Sequence, residues 1–284
     1  RLRLTRPLPN AWRLQLARPD GTFDNEGACQ LLARELNLEL PENAAALSHT
    51  ALPDGTHQVA AGDSGDSAEF EPNTETCRFS APGGTRMSLS CATAGGEVRV
   101  SGDLEKGERI WGTGERFNTL DQRGKRVEIW AVDRWCQTEG NSYVPIPFIL
   151  SSRGYGILIN RFEGMVFDLG AGNPGRWQVE NLNAPLDMYI FIDDSPAKII
   201  EALTSLTGRP PMPPDWAFGM LVSRHGRTAE FSTAEGVLAM ADTMDRNDLP
   251  WSAAIIEGWP TYDTSRRERP AASVNARHGR GTKI

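Results

Sequence analysis

The segment GRPPMPPDW, Gly208 to Trp216, constrains this chain more than any other stretch. Four prolines in nine residues fix φ, remove backbone donors and exclude both a helix interior and a central strand. The segment reads as a stiff linker (208–216), and the sequence changes character across it.

Upstream, residues 1–207 read as an N-terminal domain built mainly of strands. WRLQLA (Trp12–Ala17), RMSLSCAT (Arg86–Thr93), GEVRVSG (Gly96–Gly102), VEIWAV (Val127–Val132), IPFILSS (Ile146–Ser152), GYGILINRF (Gly154–Phe162) and LDMYIFID (Leu186–Asp193) are short apolar or period-two runs. Gly, Pro, Asn and Asp punctuate the junctions. Many short strands at such spacing predict a mainly β fold, an antiparallel sandwich. The polar run Ala60–Thr76 has little to bury and reads as a loop. One helix closes the domain: Ser195 suits the N-cap, Pro196 the first turn and Gly208 the stop, with Ile199, Ile200, Leu203 and Leu206 as the apolar stripe.

Downstream, AFGMLVS (Ala217–Ser223) and SAAIIEGW (Ser252–Trp259) are nearly continuous apolar runs, as strands covered on both faces should be. Between them, Ser232 and Glu235 form a capping box ahead of a stripe of Val237, Met240, Ala241 and Met244. Strand, helix, strand is one parallel β-α-β unit. The last stretch, 264–284, is atypical: Ser265–Ile284 holds six basic residues, one acidic residue and no apolar period. It reads as an out-of-frame or truncated ending, against a genuine basic tail.

Composition narrows the partners. The 284 residues carry a net charge of −7, which argues against nucleic acid or an anionic membrane as partner. No apolar run approaches the roughly 18 residues of a spanning helix. The cysteines Cys29, Cys77, Cys91 and Cys136 form no C-x-x-C motif and read as buried free thiols, Cys77–Cys91 being the one disulfide to weigh. This favours a cytoplasmic location. The four histidines show no metal-ligand spacing, so no metal or cofactor is expected.

The stretch IWGTGERFNTLDQRGKRVEIWAVDRW, Ile110–Trp135, offers G-x-G at Gly112 and Gly114. Its third position is Phe117 and no helical pattern follows, which disfavours a phosphate loop. Arg116, Arg123, Lys125 and Arg126 alternate with acids and read as a solvated face.

Four segments, GTGERFNTLDQRGKRVEIW, IPFILSSRGYGILIN, LTGRPPMPPDWAFGMLVSR and NDLPWSAAIIEGW, are similar in order and spacing to glycoside hydrolase family 31. The resemblance covers about residues 90–263. It implies a galactose-mutarotase-like sandwich, then the start of a (β/α)8 barrel over 217–263, and a retaining α-glycosidase acting on oligosaccharides or small α-glycosides, α-glucosides first. It also implies that the nucleophile and acid/base aspartates lie on later strands. No catalytic residue is therefore assigned, and the 284 residues alone are expected to be inactive.

The resemblance further suggests substrate contacts. Asp133 is either a sugar-hydroxyl acceptor beside Trp130 and Trp135 or a turn residue capping its own backbone. Glu257 ends the second barrel strand, where the family commonly has Asp, and Trp259 walls the same pocket. Arg227 follows the first strand and suits an anionic sugar or plain solvent. The alternative of another class is a non-catalytic carbohydrate-binding sandwich.

Overall fold

The computed structural model describes residues 2–17, 47–62, 64–94, 97–132, 142–161, 163–183, 185–223 and 234–255. The chain forms two compact units, Arg1–Arg209 and Pro210–Ile284.

Among the described residues, the first unit holds two antiparallel sheets. The six-stranded sheet runs Leu2–Leu8, Ala11–Leu16, Leu186–Ile192, Tyr155–Ile159, Pro145–Ser151, Ile110–Gly114 in spatial order. The nine-stranded sheet runs Arg126–Ile129, Met165–Asp168, Arg176–Asn183, Glu97–Asp103, Gly84–Ala94, Thr76–Ala81, Ser67–Glu71, His57–Ala61, Leu47–Ala51. The period-two pattern sets which side chains meet between them. Trp12, Leu14, Ile157, Ile159, Met188 and Ile190 pack from one sheet against Phe79, Leu89, Val100, Phe167, Trp177 and Val179 of the other.

The alternate residues of the central strands are apolar too. Leu158, Tyr189 and Phe191 face outward from the sandwich and are covered by α1, Pro196–Thr207, through Ile199, Ala202 and Leu206. That second cover is why Tyr155–Ile159 and, apart from Asp187, Leu186–Ile192 read as continuous apolar runs. The helix begins and ends where the sequence predicts, with Ser195 as N-cap, Pro at the first turn and Gly208 beyond the end at φ 89°. Two details differ. The Ser195 side chain makes no cap hydrogen bond; its backbone N–H donates to Asp193 Oδ1 at 2.8 Å. The buried stripe includes Ala202 and leaves Ile200 40% exposed, because the sheet below is met by a slightly rotated face.

The polar run 60–76 is a correction. It contains the strand Ser67–Glu71, which pairs with both neighbours. Its low hydrophobicity is tolerated because Asp66 is buried in an ion pair with Arg6 at 2.7 Å, and Ser64 also donates to Asp66. Cys77 and Cys91 are buried and free, so the disulfide is absent.

In the second unit, Leu221–Ser223 pairs in parallel with Ala253–Ile255, and α2, Ala234–Arg246, lies between them in sequence. The strands are shorter than the apolar runs suggest. Pro214 precedes a 3-10 turn over Asp215–Phe218, which takes the front of AFGMLVS, and Leu221 and Ile255 are exposed. Among the described residues this is one β-α-β unit and no closed barrel. Ser232 of the expected capping box lies outside the described residues.

Candidate functional site

The G-x-G run sits at an irregularity of the six-stranded sheet. Ile110–Gly114 pairs regularly with Pro145–Ser151 from Ser151↔Ile110 to Ile149↔Gly112, and the next pair is Pro145↔Gly114. Thr113 alone thus opposes Ile146, Pro147 and Phe148, a bulge that relieves Pro147 of ladder duty. The narrow side of the bulge curls. Gly112, Thr113 and Gly114 all have positive φ, at 111°, 66° and 86°. A Cβ on Gly112 would lie 2.4 Å from the Phe148 carbonyl oxygen, and one on Gly114 2.1 Å from that of Val144. The glycines serve close backbone approach. The buried Thr113 is the one non-glycine in the curl, and its hydroxyl donates to the Gly112 carbonyl at 2.7 Å.

The charges around the run brace the chain. Arg116 Nε donates to Thr113 O at 3.0 Å and its Nη2 to Glu128 O at 2.8 Å. Burial pulls its pKa below the usual guanidinium value, with Glu128 opposing. Arg123 donates to the carbonyls of Glu105, Glu108 and Pro174. Asp121 accepts from the Ile110 and Arg123 amides. Beneath them the buried Glu108 accepts from Ser151 Oγ at 2.5 Å and from Tyr155 OH at 2.6 Å. The expected solvated face is, at Arg116 and Arg123, a set of backbone straps.

The wide side of the bulge, with the end of Arg126–Ile129, forms a groove of about 360 Å³. It is lined by Ile129, Trp130, Ala131, Tyr143, Val144, Pro145, Pro147 and Arg161. Trp130 is 58% and Tyr143 44% exposed, unusual for large aromatics. The indole lies against Gly164, where a Cβ would come within 3.2 Å of it, so its other face is left outward. Arg161 is fixed at the groove edge: Nε donates to Glu163 at 2.9 Å and Nη1 to Pro185 O at 2.6 Å. The bases of the groove are tied, Val132 N–H donating to Ser142 O at 3.0 Å and Ser142 Oγ to Glu115 O at 2.6 Å. An aromatic wall beside a fixed guanidinium and backbone carbonyls suits a ring that is apolar on its face and hydroxylated at its rim, such as a sugar.

Asp133 and Trp135 fall outside the described residues, as do Arg227, Glu257 and Trp259. Tyr143 and Arg161 were missed by sequence reasoning; a tyrosine two residues before Pro145 was the available signal. A larger recess of about 890 Å³ beside the start of α1 is a weaker candidate. Its polar groups serve the fold, Asp66 holding Arg6 and Asp193 holding the Ser195 amide. Among the described residues no three His, Cys, Asp or Glu side chains cluster as metal ligands.

Two facing antiparallel sheets with one outer helix define the class, a galactose-mutarotase-like sandwich. Residues 37–168 match the N-terminal galactose mutarotase-like domain of glycosyl hydrolase family 31, and the chain is similar to enzymes of that family. The chain is 29% identical to α-xylosidase XylQ of Lactiplantibacillus pentosus over 62% of its length, covering 24% of that protein. It is 31% identical to an α-xylosidase of Emericella nidulans over 53% of its length, covering 19% of that protein. The fold is similar to a Flavobacterium johnsoniae dextranase of the same family, solved with isomaltotriose, with TM-score 0.76 and 19% identity over 89% of this chain and 30% of that one. The chain thus spans about a quarter or less of the length of these curated relatives.

Proposed function

We propose that the chain is the N-terminal part of a retaining α-glycosidase, with a sugar-contacting groove on its sandwich at Trp130, Tyr143 and Arg161. The β-α-β unit of residues 221–255 is then the opening of the catalytic barrel, in which active sites face the C-terminal ends of the strands. Asp133, Glu257, Trp259 and Arg227 contact the substrate, and two later aspartates, about 5–5.5 Å apart, act as nucleophile and acid/base. The substrate is an α-linked glucoside or the xyloside that lacks its hydroxymethyl group; the names of the relatives support both. The observation that carries this reading is the match of residues 37–168 to the family's sandwich domain, with the exposed aromatic groove inside the matched fold.

Because both catalytic carboxylates would lie beyond these 284 residues, the purified chain should not turn over p-nitrophenyl α-glucoside or α-xyloside. Appreciable turnover by this polypeptide would overturn the assignment of roles. A second reading, a carbohydrate-binding module without catalysis, is favoured by one observation: the groove is complete within the first unit. Titration calorimetry of the whole chain with maltose, isomaltose and xylose-bearing oligosaccharides separates them. Millimolar or tighter binding that is lost in Trp130→Ala supports the module; no heat supports the barrel-dependent site.

A further inference from the structure

The free end of the nine-stranded sheet carries a pair of histidines that the groove does not use. Leu47–Ala51 is exposed along its whole length and pairs only with His57–Ala61 among the described residues. In that hairpin His49 pairs with Val59 and Ala51 with His57, so the two histidines are diagonal neighbours on one face. Val59 and Phe70, on the same face, pack against the core. The histidines therefore stand where the inner face of the sheet runs out past its cover. His49 Nε2 and His57 Nδ1 are 3.0 Å apart, with ring planes within 11° and centroids 5.2 Å apart. Parallel rings with nitrogens this close cannot be stacked face to face. They meet edge to edge, one nitrogen donating to the other.

We propose that His49 and His57 form a two-imidazole chelate for a divalent transition-metal ion, with water completing the coordination. A cation about 2.0–2.1 Å from each nitrogen would see them at roughly 90°, the cis angle of square-planar and octahedral sites. Both side chains are exposed, so χ rotations can turn the two facing nitrogens toward the ion, once the ring that donates to its neighbour has moved that proton to its other nitrogen. In the bound form the ring protons reside on His49 Nδ1 and His57 Nε2, and the metal takes the other two nitrogens. With nitrogen donors alone and open positions around them, affinity should follow Cu(II) > Ni(II) ≥ Zn(II).

The test is titration of the whole chain with CuSO4, read by calorimetry and by electron paramagnetic resonance. One equivalent of Cu(II), with hyperfine structure from two imidazole nitrogens, is the expected result. His49→Ala and His57→Ala should each weaken it about tenfold or more, because the second ligand then loses its effective concentration. His225→Ala and His278→Ala should leave it unchanged. Wild-type Cu(II) coordinated by one imidazole or none overturns the proposal without any variant. So does full-affinity binding in either hairpin variant, which would reduce the pair to a hydrogen bond closing the hairpin.

Discussion

Replacing Gly114 by alanine tests the account of the G-x-G run directly. At φ 86° an alanine costs about 1–2 kcal/mol. Its Cβ would sit 2.1 Å from Val144 O and 2.6 Å from Ile146 N, which forces the bulged strand away. Overpacking of this kind costs about 1–3 kcal/mol. The displacement also breaks the bond from the Glu115 amide to Val144 O, at 3.0 Å, worth about 1 kcal/mol. Restricting the unfolded chain returns roughly 0.4–1 kcal/mol. The net loss is about 2–5.5 kcal/mol. Gly107→Ala is the control, since Gly107 has φ 80° and nothing within 4 Å of a new Cβ. It should lose at most about 1.5 kcal/mol, the positive-φ cost less the same entropy term. Urea unfolding followed by far-UV circular dichroism measures both, with m unchanged if only the folded state is affected. Equal losses for the two variants would refute the close-approach explanation.

Asp187 is buried, accepts both forks of Arg13 at 2.8 Å and accepts from Asn160 at 2.7 Å; Asp187→Asn should cost about 1–3 kcal/mol in the same assay, because the half-buried guanidinium loses its charged partner. Burial pushes the Cys77 thiol up to about 12 and raises Cys91 and Tyr155 as well. All three are neutral in the fold and ionise more easily when unfolded, so the stability they contribute is complete below about pH 8.5 and is lost as pH rises toward about 12. Unfolding midpoints should therefore fall steadily above about pH 9, and a flat profile there would contradict the burial of these groups.

The strands of the sandwich were legible because period-two alternation reports a one-sided core. The two strands beneath α1 were legible as strands for the opposite reason, their alternation being filled in by Leu158, Tyr189 and Phe191. The strand at Ser67–Glu71 was hidden, since only Ala68 and Phe70 reach the core, between Ser67, Glu69 and Glu71. Apolar continuity overstated AFGMLVS: it signals what a strand would bury, and Pro214 decides where the chain turns first. At the site, Trp130 was visible as an aromatic in a polar stretch. Arg161 was not, because its place at the groove depends on the bulge in the neighbouring strand Pro145–Ser151. The histidine pair escaped spacing rules for a similar reason. Ligands across a hairpin follow strand register, and His49 and His57 meet as diagonal neighbours eight positions apart.

The position of α1 has a consequence for how such a sandwich can be exchanged between proteins. A segment ending before Pro196 would carry Phe148, Leu158, Tyr189 and Phe191 with no cover, an oily face on the outside of an otherwise finished domain. The transferable module therefore runs through Thr207, and recombination or dissection has its permissive joint in the prolines that follow, where the backbone makes few hydrogen bonds that a cut could lose.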